Sequence, residues 1–158
     1  MTHAAGIDLE LSDGVTRPFT QLLLDYNGTL ACDGELLPGV AERLTALGQS
    51  LLITVLTADT FSKAETQLAG LPVELRIVRN GADKLALIKE LAHERVIAIG
   101  NGRNDLLMMK LAGLAIAVIG AEGASTELLL VSDVVSTNVH HALDLIINPL
   151  RIKATLRN

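Results

Sequence analysis

The sequence predicts a three-layer α/β/α sandwich of the Rossmann-like kind around a mainly parallel sheet. The chain has 158 residues, of which 49% are hydrophobic and only 2% aromatic, so its core is aliphatic. Six short apolar runs without polar alternation recur along it, as is typical of strands buried on both faces of a parallel sheet. Segments with helical spacing separate these runs, and this alternation favours crossover connections and layered packing. The length favours a single domain spanning residues 1–158.

The elements follow one another in a regular order after an N-terminal β-hairpin. That hairpin joins Gly6–Leu11 to Thr16–Leu24 through Ser12-Asp13-Gly14 and leads into the first core strand. The six predicted core strands are Gln21–Leu24, Leu51–Leu56, Val73–Val78, Val96–Ile99, Leu114–Ile119 and Val131–Val135. The first predicted helix begins at Pro38 and ends before Gly48. The other predicted helices are Thr60–Ala69, Ala82–His93, Asn104–Leu111, Ser125–Leu130 and Val139–Ile147. The basic residues after Pro149 are expected to form a solvated tail.

Charge and cysteine content exclude several classes of protein. The net charge is −5 with no run of like charges, which argues against a nucleic-acid partner. No stretch approaches the roughly 20 apolar residues that span a bilayer, and the first residues lack the pattern of a secretory signal. The single cysteine, Cys32, permits no intramolecular disulfide. We therefore expect a soluble, cytoplasmic protein without a membrane partner.

Polar residues follow the predicted strands where a ligand site is expected, at the carboxyl ends of the sheet. Asp25 follows the first core strand and is a candidate nucleophile or metal ligand. Thr57 follows the second, and Lys84 opens the third helix, where it can neutralise a phosphate or the Asp25 carboxylate. Asn101 and Asp105 lie four positions apart in a glycine-containing loop after the fourth strand. Such an oxygen-rich, cysteine-free set suits Mg²⁺.

Each of these signals also has a local explanation. An Asp three positions before a Gly, as Asp25 is before Gly28, can cap its strand through an Asx-turn, and Thr or Asp at a helix start can be an N-cap. Four such signals at successive strand ends favour a shared site over four independent caps.

Taken in order, these residues resemble the four motifs of the haloacid dehalogenase (HAD) superfamily of phosphohydrolases. The motifs fall on Asp25-Tyr26-Asn27-Gly28-Thr29, on Thr57, on Lys84 and on Gly100-Asn101-Gly102-Arg103-Asn104-Asp105. The fourth motif and the segment after it are most similar to the phosphorylation domain of P-type ATPases and to its soluble relatives. No transmembrane helix is apparent, so a soluble homologue is expected.

The resemblance implies that Asp25 attacks a phosphoryl group and becomes an aspartyl-phosphate. It implies a catalytic set of Asp25, Asn27, Thr57 and Lys84. The phosphate-binding set it implies is Asp25, Tyr26, Asn27, Gly28, Thr57, Ala58 and Lys84. A Mg²⁺ cofactor would be bound by Asp25, by the backbone carbonyl of Asn27, and by Asn101 and Asp105.

Two positions depart from the family pattern. Asn27 stands where phosphatases of the family carry a second Asp as general acid and base, and Asn101 stands where they carry the first acid of the fourth motif. Both changes predict slow turnover and leave a second hypothesis open, a non-catalytic regulatory or phosphate-binding module. A two-component receiver domain is disfavoured, because it leaves the Gly100–Asp105 loop unexplained.

The spacing between the motifs leaves no room for a cap domain. The segments from Asp25 to Thr57 and from Thr57 to Lys84 hold no more than a flap (Ala31–Leu37) or one crossover helix. We therefore expect an open site that accepts a small or macromolecular phosphorylated substrate. In the absence of a cap domain, a second copy in a homo-oligomer could close the site and so exclude water.

Overall fold

A six-stranded parallel sheet with helices on both faces forms the body of the protein. The computed structural model describes residues 4–58 and 63–158. The strands are β1 (Ile7–Glu10), β2 (Thr16–Phe19), β3 (Gln21–Asp25), β4 (Ala31–Cys32), β5 (Glu35–Leu36), β6 (Leu52–Thr57), β7 (Val73–Ile77), β8 (Val96–Gly100), β9 (Leu114–Val118) and β10 (Val134–Ser136). The helices are α1 (Val40–Leu47), α2 (Lys63–Leu68), α3 (Gly81–Lys89), α4 (Leu106–Leu111), α5 (Thr126–Val131), α6 (Val139–Ile147) and α7 (Pro149–Leu156).

The strand order places β3 near the centre of the sheet. The order is β10-β9-β8-β3-β6-β7, and all five neighbouring pairs are parallel. Asp25, the last residue of β3, lies beside Leu56 of β6 in the register. The carboxyl ends of β3, β6 and β8 therefore meet at one edge, and the predicted parallel sheet is confirmed.

Successive residues of β3 pack on opposite faces of the sheet, which makes the fold three-layered. Leu22 and Leu24 belong to a core that also includes residues of α1 and α6. Leu23, between them, belongs to a second core with Ile88 of α3 and Met108 of α4. All three leucines are completely buried, which explains why the strand reads as an uninterrupted apolar run.

Two small antiparallel ribbons accompany the main sheet. The first is the predicted N-terminal hairpin, in which β1 pairs with β2 and Ile7 lies opposite Phe19. The second pairs β4 with β5 and forms the expected flap directly after the Asp25 loop. The Tyr26 hydroxyl donates to the backbone carbonyl of Gly34 at 3.0 Å and so ties the flap to the end of β3.

The clearest differences from the expected element boundaries lie at the end of α3 and between α5 and the last strand. Helix α3 ends at Lys89, and His93 begins a separate short 3-10 helix. Val131 is the last residue of α5, and the last strand begins only at Val134. The intervening Asp133 accepts a hydrogen bond from the backbone N–H of Ala115 at 2.8 Å, which fixes the loop that separates helix from strand. Residues 59–62 at the start of the expected Thr60–Ala69 helix lie outside the described part.

The chain end is a helix, not the solvated tail expected from its charge. Ile152 of α7 is fully buried, and Lys153 forms an ion pair of 2.6 Å with Glu10 of β1. Helix α7 thus covers the N-terminal hairpin. Among the helices of residues 4–58 and 63–158, none has both the length and the apolar character needed to cross a membrane.

Candidate active site

Four elements deliver polar side chains to the carboxyl edge of the sheet. Asp25 ends β3, Thr57 ends β6, and Asp105 lies in a 3-10 helix (Arg103–Asp105) shortly after β8. Lys84 lies in the first turn of α3. All four side chains are buried, so the sequence-predicted residues converge in the interior of the site.

Lys84 holds two carboxylates together. Its Nζ lies 2.8 Å from Asp25 Oδ1 and 2.6 Å from Asp105 Oδ1. Lys84, Asp25 and Asp105 are only 2%, 6% and 0% exposed. Two carboxylates therefore share one ammonium group in a region of low dielectric.

The pKa values of this cluster are shifted by burial and by mutual charge. Burial, and next the charge of Asp105, raise the pKa of Asp25 to about 7, against the opposing effects of Lys84 and Thr29. Burial alone would lower the pKa of Lys84, but the two carboxylates outweigh it and raise that pKa. The ammonium group is thus held in its charged form.

Asp105 also shapes the loop that follows β8. Its Oδ2 accepts hydrogen bonds from the backbone N–H groups of Asn101 at 3.2 Å and of Gly102 at 3.1 Å. A Cβ on Gly100 would lie only 2.5 Å from the same oxygen, so this close approach requires glycine. Both oxygens of Asp105 are therefore engaged by groups of the protein.

Thr29 joins the first and fourth motifs, and the sequence did not identify it as a site residue. Its Oγ1 lies 3.2 Å from Asp25 Oδ2 and 3.2 Å from Asn101 Oδ1. The Asn101 amide Nδ2 donates to the Gly123 carbonyl at 3.0 Å, which fixes the direction of Oδ1. The only sequence signal for Thr29 was its place in the first motif. Gly123 contributes through its main-chain carbonyl group, and such a contribution gives no signal in the sequence.

Gly28 makes the approach of the two loops possible. Its φ is +77°, a left-handed conformation that favours glycine. A Cβ at this position would lie 2.4 Å from Asn101 Nδ2. The turn therefore needs glycine both for its backbone conformation and for the space that Asn101 occupies.

Asn27 lies at the entrance of the site. Its side chain is exposed, unlike that of Asp25, and its Nδ2 lies 3.5 Å from the Thr57 hydroxyl oxygen. Ala58, the next residue after Thr57, is also exposed at this edge. The entrance therefore carries an amide and a buried hydroxyl beside the Asp25 carboxylate.

The backbone N–H groups of Tyr26 and Gly28 donate to carbonyl groups of the protein, one on the neighbouring strand β6 and one within the turn. The Tyr26 N–H donates to the Leu56 carbonyl at 3.0 Å, and the Gly28 N–H donates to the Ala31 carbonyl at 2.9 Å. The Tyr26 ring is fully buried. Their expected role in binding phosphate has no support from these donors, and it stays a prediction.

The oxygen atoms of the site fit a hard divalent cation. Asp25 Oδ2 and Asn101 Oδ1 each lie 3.2 Å from Thr29 Oγ1, so a carboxylate oxygen and an amide oxygen approach the same hydroxyl group. Mg²⁺ prefers such oxygen ligands, and two carboxyl groups face a single ammonium group here. The residues present therefore fit the metal that the sequence motifs imply.

Comparison with known proteins places this site in a family. The family model of haloacid dehalogenase-like hydrolases matches residues 55–142, more than half of the chain. That range contains Thr57, Lys84 and Asp105 and begins after Asp25. An uncharacterized protein of Methanocaldococcus jannaschii, MJ0073, is 46% identical over 85 residues, which are 49% of this chain and 91% of that protein.

Solved structures share the fold. A 3-deoxy-D-manno-octulosonate 8-phosphate phosphatase from Moraxella catarrhalis, solved in complex with a magnesium ion, a phosphate ion and KDO, superposes with a TM-score of 0.71 at 17% identity over 86% of this chain and 90% of that chain. A HAD family hydrolase from Streptomyces avermitilis gives 0.67 at 21% identity over 87% of both chains. The catalytic domain of the CPx-ATPase CopB-B gives 0.60 at 25% identity over 71% of this chain and 46% of that chain.

The last of these likenesses agrees with the predicted similarity to P-type ATPases. The four motifs occur in order, three of them at or shortly after the ends of β3, β6 and β8 and one at the start of α3. The fold is shared with the solved hydrolases, and the family model covers the greater part of the chain. This chain belongs to the haloacid dehalogenase-like hydrolase family.

Proposed function

We propose that this protein is a magnesium-dependent phosphohydrolase or phosphotransferase that acts through an aspartyl-phosphate on Asp25. The observation that carries the proposal is the buried Asp25 carboxylate at the end of the central strand, 2.8 Å from the Lys84 ammonium. The hydrolase family to which the chain belongs supports the same reaction class. The proposal includes one domain over residues 1–158 and a phosphorylated substrate, small or macromolecular.

Asp25 is the proposed nucleophile because its carboxylate lies at the carboxyl edge of the sheet and has one oxygen near Thr29 and the other near Lys84. One oxygen of Asp25 bonds to phosphorus while the bond from phosphorus to the leaving oxygen breaks. The Lys84 ammonium and the Thr57 hydroxyl would stabilise the charge on the transferring oxygens. Asp105 positions Lys84 through the contact of 2.6 Å.

The proposed metal ligands are Asp25, the backbone carbonyl of Asn27, Asn101 and Asp105. A bound Mg²⁺ would supply charge neutralisation for the phosphoryl oxygens. Asn101 offers a neutral oxygen where a carboxylate is usual in the family, so we expect a weaker magnesium affinity than a second carboxylate would give. Both oxygens of Asp105 and both oxygens of Asp25 already have protein partners, so a bound metal would share these side chains with Lys84, Thr29 and the loop after β8.

A magnesium titration of phosphate release across a panel of phosphate esters tests this function. Asp25→Asn keeps the size of the side chain and removes the nucleophile, so turnover should disappear. Asp8→Asn is the matched control, because Asp8 is exposed on β1. Retention of wild-type turnover by Asp25→Asn would show the mechanism to be wrong.

The second candidate is a non-catalytic regulatory or phosphate-binding module, and the two asparagines at positions 27 and 101 favour it. The two candidates differ in the first turnover. In a burst measurement with an activated ester, a catalyst releases at least one leaving alcohol per site as Asp25 is phosphorylated, whereas a binding module releases none.

A further inference from the structure

The last strand of the sheet, β7, leaves one edge open. In the described part of the chain, β7 ends the strand order and pairs with β6 alone. The Val78 N–H donates to the Thr57 carbonyl at 2.9 Å, and Thr57 lies beside Ile77 in the register. Because successive residues of a parallel strand direct their backbone groups to alternate sides, Ile77 and Leu75 direct theirs away from β6. This edge therefore presents N–H and C=O groups that a further strand can bind.

The strand also lacks common protections of a sheet edge, which are short length, bulges and proline. β7 has five residues and no proline, and its register with β6 runs without interruption from Val73 to Ile77. The opposite edge strand, β10, has only three residues. Ile77 is 58% exposed although it is large and apolar. Of the two edges, β7 is therefore the one that favours strand pairing.

The side chains of β7 are complementary to those of a second, antiparallel β7. Val73, Leu75 and Ile77 alternate along the strand with Glu74 and Arg76. If a two-fold axis passes through Leu75, Val73 lies opposite Ile77 of the second copy, and Glu74 lies opposite Arg76 of the second copy. Apolar side chains then meet on one face of the pair, and opposite charges meet on the other.

The backbone supports the same register. In an antiparallel pair, residues that exchange hydrogen bonds alternate with residues that do not, and the side chains of the second kind lie closer together. Leu75 and Ile77 direct their backbone groups outward, so this register gives them the hydrogen-bonded positions. Glu74 and Arg76 take the other positions, where cross-strand charges are closest. An axis at Glu74 or at Arg76 would instead place like charges opposite each other, which is destabilising.

The geometry points to a homodimer in which two copies of this chain pair β7 antiparallel about a two-fold axis at Leu75. Within one chain, Arg76 Nε lies 2.6 Å from Glu74 Oε1, and both side chains are exposed. The dimer therefore brings the charges of both chains into one alternating group and joins the two sheets into one. Because an edge of five residues is smaller than a standard interface, we expect weak association, with a Kd of about 10 µM to about 1 mM.

This dimer leaves both candidate active sites open. Antiparallel pairing places the carboxyl edge of one sheet beside the amino edge of the other. Asp25 lies at the carboxyl edge, so the two sites face in opposite directions. Association through β7 thus does not supply the closure expected of a second copy, and each site keeps its access for a macromolecular substrate.

Exchange of the two charges tests the interface and its register together. Arg76→Glu leaves only negative charges at the axis and should weaken the dimer at least about tenfold in sedimentation equilibrium. The double variant Glu74→Arg/Arg76→Glu reverses both charges and should restore wild-type association. Lys110→Glu is the matched control, because Lys110 is exposed on α4 and its replacement changes the net charge equally. The replaced side chains are exposed, so the variants are expected to fold, and circular dichroism checks this.

Hydrogen exchange of single amides, measured by NMR on the wild-type chain, identifies the paired edge without any variant. The N–H groups of Leu75 and Ile77 should exchange about twofold or more slowly as the protein concentration rises from about 50 µM to about 1 mM, because the second copy accepts their hydrogen bonds. Val135 on β10 is the matched control. The Ile119 N–H donates to the Ser136 carbonyl at 2.9 Å, so the neighbouring Val135 directs its backbone groups away from β9, and its exchange should not change.

Each other outcome overturns the inference. A wild-type chain that stays monomeric up to about 1 mM would leave the edge to a strand of a different protein. A dimer that Arg76→Glu leaves intact, or one that slows exchange at Val135 and not at Leu75, would have its interface elsewhere. If Arg76→Glu dissociates the dimer and the double variant does not restore it, the register at Leu75 is wrong. None of these outcomes depends on the proposed function.

Discussion

Replacement of Lys84 by methionine tests whether one buried ammonium balances two carboxylates. Lys84 is 2% exposed, and its Nζ lies 2.8 Å from Asp25 and 2.6 Å from Asp105. Methionine keeps much of the apolar stem and removes the charge. Loss of one partner from a buried ion pair costs about 3–5 kcal/mol, because the remaining charge is left uncompensated. Since two carboxylates lose their partner here, we expect a cost in the upper half of that range.

Urea unfolding with a chelator present measures this cost without interference from metal. Lys89→Met is the matched control, because Lys89 lies on the same helix and is exposed. Such a surface change is expected to stay within about 0.5 kcal/mol. Domains of this kind have a free energy of unfolding of about 5–15 kcal/mol, so the Lys84→Met variant should still fold at low temperature.

The pH dependence of the same variant gives an independent check. Lys84 lowers the pKa of Asp25, which burial raises to about 7, so its removal raises that pKa further. A carboxyl group whose pKa is higher in the folded state stabilises the protein at low pH and loses this contribution as the pH rises. The deficit of Lys84→Met should therefore shrink between about pH 8 and about pH 5. A deficit equal to that of Lys89→Met, or one that grows on acidification, would refute the reasoning.

Two further predictions concern close packing near the site and at the chain end. Gly14→Ala should cost about 1 kcal/mol from its left-handed backbone alone, because nothing lies within 4 Å of its Cβ position. Gly28→Ala has a similar φ, but its Cβ would meet Asn101 at 2.4 Å, so urea unfolding should show about 1–3 kcal/mol more. A Gly28→Ala cost equal to that of Gly14→Ala would show that Asn101 moves aside freely. Ile152→Ala should cost about 2–5 kcal/mol, whereas Leu150→Ala at a 78% exposed position should have little effect, and equal costs would show that α7 does not pack as described.

The layered fold was predictable because each core strand is buried on both faces. Leu22, Leu23 and Leu24 have no exposed surface, and a strand of this kind leaves an uninterrupted apolar run in the sequence. The polar residues at the end of each run then mark the carboxyl edge. Asp25 and Thr57 were found in this way, because the chain alternates simply between strand and helix.

Contacts through loops and through the main chain were not predictable. Thr29 reaches Asp25 and Asn101 only because the turn at Gly28 has a positive φ and reverses the chain. Gly123 acts through its carbonyl oxygen, for which no residue type is required. These contacts depend on how the loop after β3 packs against the loops after β8 and β9, which are distant from it in sequence.

The terminal helix was missed although its signals are present. Pro149 occupies the first turn of α7, a position that favours proline, but after Asn148 it also resembles a stop signal. Ile152 and Leu156 are four positions apart on one helix face, and both pack in the core that contains the hairpin residue Leu9. The charges of the chain end therefore surround an apolar stripe that carries the packing.

The distribution of charge across the site bears on the choice between catalysis and binding alone. Buried ion pairs are rarely a source of stability, since desolvation offsets their attraction, so Lys84 with its two carboxylates is poorly explained as a structural device. A module that only binds phosphate would be weakened by a carboxylate beside the ligand, because like charges repel. A nucleophile needs that carboxylate, and an ammonium 2.8 Å away keeps it in place and offsets the repulsion. The carboxylates described here lie in the interior, next to the ammonium group, whereas Asn27 is exposed at the entrance, and a buried carboxylate in this place favours an enzyme that keeps its nucleophile.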